Sequence, residues 1–284
     1  MKVALIANRA SGGGLDPEPL ARAMRERGAE VTVFGCEQAE LERVAGDSPE
    51  RIAVAGGDGT VASAADLAGR LDVPLGAIPG GTANDFVRAA RLPLDPIEAA
   101  RLAVTGSELR RLELGRLADG RPFVNVASAG LASVAARQAM PLKPRLGPLA
   151  YALGALRAGV TAAPLRCAVR ADERTIFDGD AWQVIVACTG AFGGGSGVGA
   201  ANPEDGILDV AVLPAGSRAG LVRRAWGMKR GTIAEQRGVE HHRAMVVEVN
   251  LPPGTEFNAD GELRAAGLER VTVERDAYAL VVPG

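Results

Sequence analysis

The stretch Arg51-Ile52-Ala53-Val54-Ala55-Gly56-Gly57-Asp58-Gly59-Thr60-Val61-Ala62-Ser63-Ala64-Ala65 decides how the chain is read. Ile52–Ala55 is an apolar run, a glycine-rich turn follows it, and the small residues after Thr60 recur at helical spacing. Strand, turn and helix in that order make a cradle for an anion. Glycine lets the backbone approach a ligand, and the helix start offers N–H groups and the positive end of a dipole. The competing reading is a plain β-to-α turn that uses glycine for its backbone freedom.

The identity of the loop narrows the anion. A Walker loop needs a Lys-Ser/Thr pair after its last glycine, and Val61-Ala62 follow Thr60 instead, so that reading fails. Gly57-x-Gly59-x-x-Ala62 fits the dinucleotide fingerprint, a weak pattern by itself. Asp58, however, would set a carboxylate beside the pyrophosphate, which is repulsive unless a cation or a transferable proton lies between them. Asp58 therefore points to magnesium or proton chemistry.

A second stretch follows the apolar run Pro74–Ile78: Pro79-Gly80-Gly81-Thr82-Ala83-Asn84-Asp85-Phe86-Val87-Arg88. The pair GGDGT and PGGTANDFVR closely resembles the diacylglycerol kinase catalytic family, which includes bacterial lipid kinases and sphingosine kinases. NAD kinases and phosphofructokinases, which share the GGDG turn, are more distantly similar. An NAD kinase carries Asn-Glu where this chain reads Asn84-Asp85, which favours the lipid branch.

The chain has 284 residues, 47% hydrophobic and 23% charged, with a net charge of −2. This is an ordinary globular composition with room for two domains. The small negative charge gives no bulk attraction to nucleic acid or to an anionic membrane, so nucleic acid is excluded as partner and membrane contact must be local. Cys36, Cys167 and Cys188 lack metal-ligand spacing and read as reduced core residues. Met1–Asn8 is too short for a signal peptide. Gly147–Leu165 is the most apolar long stretch, but Arg157 interrupts it and prolines bracket it, so it is not read as a spanning helix. A cytoplasmic protein, peripheral to the membrane, is expected.

Periodicity predicts strands at Lys2–Ala7, Glu30–Phe34, Arg51–Ala55 and Pro74–Ile78, alternating with helices at Pro17–Arg27, Gln38–Ala45 and Pro96–Thr105. Alternation of this kind implies a mainly parallel sheet covered on both faces. A strand Arg110–Leu117 and an Asp119-Gly120 hairpin to Pro122–Ala127 change the character. Beyond them come a helix over Gly147–Gly159 and strands near Leu165–Arg170, Trp182–Cys188, Ile207–Leu213, Met245–Asn250, Val271–Glu274 and Tyr278–Val282. The pattern gives α/β plus all-β, a mainly parallel first part and an antiparallel β-rich second part with a boundary near residue 120; the resemblance implies that residues 1–120 are a three-layer nucleotide-binding domain and residues 121–284 an antiparallel β-sandwich that takes the lipid substrate. The extreme carboxyl terminus is allowed to pack back on the first domain, and the active site is expected between the two.

The resemblance continues through Asn125-Val126-Ala127-Ser128-Ala129-Gly130, Gly147-Pro148-Leu149-Ala150-Tyr151, Gly193–Gly195, Asp205-Gly206-Ile207-Leu208-Asp209 and Asp260-Gly261-Glu262, in the family's order. It implies an ATP- and Mg²⁺-dependent kinase. The first loop, Asn8-Arg9-Ala10-Ser11-Gly12, resembles the family's Asn-Pro-x-Ser-Gly phosphate loop, with Arg9 in place of proline. By resemblance ATP is held by Asn8, Ser11 and Gly12, by Gly56, Gly57, Asp58, Gly59 and Thr60, and by Gly81, Thr82, Asn84 and Asp85. Asp85 reads equally as a Mg²⁺ ligand or as the N-cap of a helix Phe86–Ala90. The Asp-Gly-Glu motif carries the base of the lipid kinases over to Glu262, with Asp58 as runner-up from the sphingosine kinase branch. Read from the residues alone, Asp260-Gly261-Glu262 is a hairpin turn with exposed charges. The resemblance also implies a structural Mg²⁺ on Asp205 with the carbonyls of Asn202 and Ile207, whereas the residues alone make Asp205 a turn former. Gly199-Ala200-Ala201 departs from the family, which usually has proline first.

Arg218, Arg223, Arg224, Lys229 and Arg230 with Leu221, Val222, Trp226 and Met228 read equally as a bilayer-surface segment or an ordinary packed amphipathic helix. His241-His242 is read as surface strand entry rather than metal ligation. The acceptor implied is diacylglycerol, with a sphingoid base or another lipid alcohol as alternative. From a different class, a nucleotide-binding regulator without turnover is the competing function, and the joint presence of Asp58, Asp85 and Glu262 argues against it. Monomer and homodimer are both left open.

Overall fold

The computed structural model describes residues 1–11, 14–142, 149–199 and 201–284. Gly12, Gly147-Pro148 and Ala200, singled out above, lie outside the described residues. In chain order the elements are β1 (Lys2–Ala7), α1 (Glu18–Arg25), β2 (Glu30–Phe34), α2 (Gln38–Asp47), β3 (Arg51–Gly56), α3 (Asp58–Leu71), β4 (Leu75–Pro79), α4 (Asp85–Ala89), α5 (Pro96–Thr105) and β5 (Glu108–Leu117). Then follow β6 (Pro122–Phe123), β7 (Val126–Gly130), α6 (Leu131–Ala139), α7 (Leu149–Thr161), β8 (Leu165–Ala171), β9 (Arg174–Ala187), β10 (Ala191–Phe192), β11 (Ser196–Gly197), β12 (Leu208–Pro214), α8 (Arg218–Arg230), β13 (Glu240–Ala244), β14 (Val246–Asn250), β15 (Phe257–Ala259), β16 (Glu262–Arg264) and β17 (Arg270–Val282). Two compact units result: residues 1–114 with 275–284, and residues 115–274.

The first unit is built on parallel strands in the order β2-β1-β3-β4, extended by the carboxyl-terminal part of β17, whose Leu280 pairs in parallel with Leu75. Continuous apolar runs are what a sheet covered on both faces demands, and Val3–Ala7 and Ile52–Gly56 are buried throughout. Leu20, Met24, Ala99, Ala100 and Ala103 of α1 and α5 pack on one side of it, against Val3, Leu5, Ala53 and Ile78. α5 starts where Asp95 accepts a hydrogen bond from the Glu98 amide at 2.9 Å and Pro96 occupies the first turn. It ends on Arg51, whose guanidinium donates to the carbonyls of Ala103, Val104 and Gly106. Burial pushes the Arg51 pKa down, but a guanidinium stays charged there and serves the negative helix end.

The second unit is antiparallel. β9 is its longest strand: the first half pairs with β8, and the second half lies between β7 and β12. One sheet therefore runs β16-β15-β7-β9-β12-β13, and the other β9-β8-β14-β17. Phe123, Val169, Val184, Val186, Val210, Val247, Phe257 and Val271 fill the core between them. The unit is a β-sandwich, and the class expected from the alternation of apolar runs is the one found. Helix α6 and the short strands β10 and β11 were not expected, and Arg174–Ala187 and Arg270–Val282 are single strands where shorter ones were predicted. Among the described residues no helix is long and apolar enough to cross a membrane.

Candidate active site

Three loops converge at the carboxyl ends of β1, β3 and β4 in the first unit. The Asn8 amide donates to the Ala55 carbonyl at 2.9 Å, and Asn8 Nδ2 donates to Thr60 Oγ1 at 3.1 Å, which ties the first loop to the glycine turn. Asn8 Oδ1 also accepts from the Ala10 amide at 3.1 Å, closing a local turn. Helix α3, 14 residues long, begins directly after Gly57, where no side chain caps it. Its amino terminus thus faces the loops with backbone only, the arrangement an anion uses.

The glycines of the third loop are required by contact with the second. A Cβ at Gly80 would lie 2.8 Å from the Gly56 nitrogen, and one at Gly81 would lie 2.7 Å from the Gly57 Cα. Both distances are shorter than carbon and nitrogen tolerate, so the two turns stack backbone on backbone. The Gly80 amide donates to the Gly56 carbonyl at 3.1 Å, and the Gly81 amide donates to Asn84 Oδ1 at 2.8 Å. Ser11 Oγ is 3.6 Å from where a Gly57 Cβ would sit, which places the first loop on the same turn. Thr82 lies exposed between Gly81 and Asn84.

Asp58 is the first residue of α3 and its carboxylate turns to the third loop. Oδ1 accepts from the Phe86 amide at 3.0 Å and Oδ2 from the Asp85 amide at 3.3 Å. The N-cap reading of Asp85 is thereby corrected: Asn84 occupies the cap position at φ 52° without a capping side-chain bond, Asp85 is the first helical residue and is buried, and Asp58 caps the helix from another loop. A side chain 27 residues away does what a local cap normally does.

In the second unit, Asp260 sits at φ 46° in the turn between β15 and β16. Its carboxylate accepts from the amides of Val124 at 2.7 Å, Asn125 at 3.0 Å and Val126 at 3.1 Å. Three backbone donors make it the clamp that holds the hairpin to β7. Glu262, two residues on, is exposed and pairs with Arg264 at 2.8 Å. The hairpin read from the residues alone is present, with one of its two acids structural.

Asp205 Oδ1 accepts from the Ile207 amide at 3.1 Å, the turn geometry read from the residues, and its other oxygen is ion-paired with Arg243. Asn202 Oδ1 accepts from the Glu204 amide at 3.3 Å. In this arrangement the charge of Asp205 is met by Arg243. The same arginine lies 3.9 Å from the buried Asp209, whose Oδ1 is 2.7 Å from His241 Nε2. His241 is thus a partner of Asp209 on β13. Among the described residues no group of three or more His, Cys, Asp or Glu side chains is placed to hold a metal. The roles of Asp260 and Arg243 were not found by sequence reasoning; the αL-prone Asp-Gly pair was the only available signal for the first.

Residues 2–117 match the model of the diacylglycerol kinase catalytic domain, and residues 125–282 match that of the YegS C-terminal NAD kinase beta sandwich-like domain. The chain belongs to the diacylglycerol kinase family. A diacylglycerol kinase of Bacillus subtilis is 30% identical over 215 residues, 74% of this chain and 70% of the relative. A protein of Pseudomonas aeruginosa named "Probable lipid kinase YegS-like" is 30% identical over 293 residues, 99% of this chain and 94% of its own. Among solved structures, a diacylglycerol kinase from Bacillus anthracis superposes with a TM-score of 0.77 at 23% identity, covering 99% of this chain and 97% of that one. An NAD kinase from Archaeoglobus fulgidus in complex with ATP reaches 0.56 at 16% identity, covering 99% and 94%. The Bacillus anthracis structure thus shares this fold along essentially the whole chain.

Proposed function

We propose that the chain is an ATP- and Mg²⁺-dependent lipid kinase that transfers the γ-phosphoryl group to the free hydroxyl of diacylglycerol. The observation that carries this reading is the meeting of the Asn8, Gly56–Thr60 and Gly80–Asp85 loops at the side-chain-uncapped start of α3, in a chain of the diacylglycerol kinase family. A fold neighbour solved with ATP supports the choice of donor.

Phosphoryl transfer asks the protein for alignment and for charge neutralisation more than for covalent chemistry. The helix start and the loop amides would receive the triphosphate, with Asn8 and Asn84 fixing the loops and Ser11, Thr60 and Thr82 offering hydroxyls. Mg²⁺, when bound with the nucleotide, neutralises the charge on its oxygens. Asp58 and Asp85 are the residues that would hold it, since the Asp85 amide stands within 3.3 Å of the Asp58 carboxylate. With no third acid in reach among the described residues, phosphate oxygens and water would complete the shell.

In the transfer itself, the acceptor oxygen bonds to the γ-phosphorus, the bond from that phosphorus to the bridging oxygen breaks, and ADP leaves. The hydroxyl proton goes to a carboxylate. Glu262 is the proposed base: Asp58 is committed to capping α4 and Asp260 to three amides, whereas Glu262 is exposed.

ADP release with ATP, Mg²⁺ and diacylglycerol micelles tests this. Glu262→Ala is expected to lower turnover about 10²- to 10⁴-fold, the usual contribution of a general base, with ATP affinity retained. An unchanged rate removes Glu262 from the mechanism. If Asp58→Asn leaves the rate unchanged as well, and nucleotide binds equally without Mg²⁺, a regulator without turnover is the better reading.

A further inference from the structure

Helix α7 is turned inside out with respect to an ordinary surface helix. Among its described side chains the buried positions are Ala150, Gly154 and Ala158, and a Cβ on Gly154 would come within 2.5 Å of the Ala135 carbonyl of α6. Among the described side chains of the helix, Leu153, Leu156 and Val160 face outward, 39%, 68% and 68% exposed. Their spacing puts them on one stripe of the helix. A helix that packs inward through small residues and presents leucine and valine to water loses hydrophobic stabilisation unless something apolar covers it.

The neighbouring helix indicates what that is. Arg218, at the start of α8, donates to the carbonyls of Gly159 and Ala162 at 2.9 Å each, so α8 begins where α7 ends. α8 carries five cations and no acidic residue, in a chain whose net charge is −2. Arg223, Lys229 and Arg230 are exposed, and among the described residues no carboxylate is ion-paired to them. Trp226, 60% exposed, lies under the Arg230 guanidinium at 4.6 Å. Tryptophan with an apolar body and a polar edge, basic side chains with long apolar stems, and an adjacent aliphatic stripe suit the boundary of acyl chains and phosphates. A second copy of the same face fits poorly, because a two-fold contact would set these cations against their own images.

We propose that α7 and α8 form a docking face for an anionic lipid bilayer, with Leu153, Leu156 and Val160 entering the acyl boundary and the α8 cations meeting the headgroups. It deepens the lipid kinase reading and rests on it only for the substrate that the bilayer would bring.

The test is co-sedimentation of the full chain, without nucleotide, with vesicles of phosphatidylcholine alone or with about one third phosphatidylglycerol. Two double variants are compared: Leu156→Ser with Val160→Ser, and Arg223→Gln with Lys229→Gln. All four positions are at the surface, and an unchanged thermal midpoint verifies folding. The expected result is binding to the anionic vesicles that weakens with salt and falls at least tenfold in the first variant. Loss of two cations predicts a fall of roughly thirtyfold in the second. Absence of binding, equal binding by either variant, or self-association of the wild type that Leu156→Ser/Val160→Ser abolishes overturns the proposal; the last outcome assigns the face to a second copy. Turnover on a monomeric short-chain diacylglycerol separates the two readings: if it is absent, the kinase assignment fails while the vesicle result stands, and if it persists without vesicle binding, only the docking face fails.

Discussion

The Asp58 carboxylate accepts a hydrogen bond from the Phe86 amide at 3.0 Å, so the acid of the GGDG turn is also the cap of α4. The two conspicuous motifs of the sequence are one structural unit, joined through a side chain and through stacked glycines.

Asp58→Ala removes the acceptor of two helix-start amides. It should destabilise the protein by about 1–2 kcal/mol, the range for losing a cap and leaving donors unsatisfied, and should weaken ATP binding through movement of the Gly80–Asp85 loop. Denaturant unfolding and nucleotide titration measure both. Unchanged stability means that the cap contributes nothing.

The two acids of the 260–262 turn should separate stability from chemistry. Asp260→Ala takes the partner from three amides, at a cost of about 2–4 kcal/mol given the strength of bonds to a charged acceptor. Glu262→Ala, at an exposed position, should leave stability within about 0.5 kcal/mol and lower turnover about 10²- to 10⁴-fold. The reverse pattern would exchange their roles.

Arg243 is ion-paired with the Asp205 carboxylate that a cation would share. Arg243→Gln should therefore create a Mg²⁺-dependent rise in thermal midpoint that the wild type lacks, and Asp205→Asn added to it should cancel the rise. An equal response in wild type and variant would show that the cation displaces the arginine unaided.

Burial pushes the Cys167 thiol up to about 11, against a weaker opposing pull from Arg166. A thiol whose pKa is raised on folding keeps its proton longer in the native state than in the unfolded one. Its contribution is complete below pH 9 and is lost as pH rises toward 11, because the unfolded chain binds fewer protons there. Thermal midpoints should fall across that window by less in Cys167→Ala than in the wild type. Parallel pH profiles would contradict this.

Much of the fold was legible: Lys2–Ala7, buried on both faces, is an uninterrupted apolar run from Val3 on, and the edge strand Glu30–Phe34 and the helix Pro96–Thr105, marked by its Asp95-Pro96 start, were also read at their observed limits. Helix α6 escaped because Leu131–Ala139 is short and alanine-rich and starts directly behind Gly130. The first half of β9 escaped because Arg174–Asp180 is polar and mostly solvated. β17 was split at Arg275-Asp276, where Asp276 takes φ 48° yet the strand continues. At the site, the glycine turns were legible as motifs, while the links that assemble them were not. Asp58 to Phe86 and Asp260 to Val124 span 28 and 136 residues, and no local pattern encodes such pairs.

The most direct test is transfer of label from γ-labelled ATP in the presence of Mg²⁺, with diacylglycerol, a sphingoid base, phosphatidylglycerol and NAD offered separately in mixed micelles. Label is expected on diacylglycerol alone, arriving about 10²- to 10⁴-fold more slowly with Glu262→Ala. Label on NAD, or none on any acceptor while ATP still binds, would contradict the lipid kinase reading.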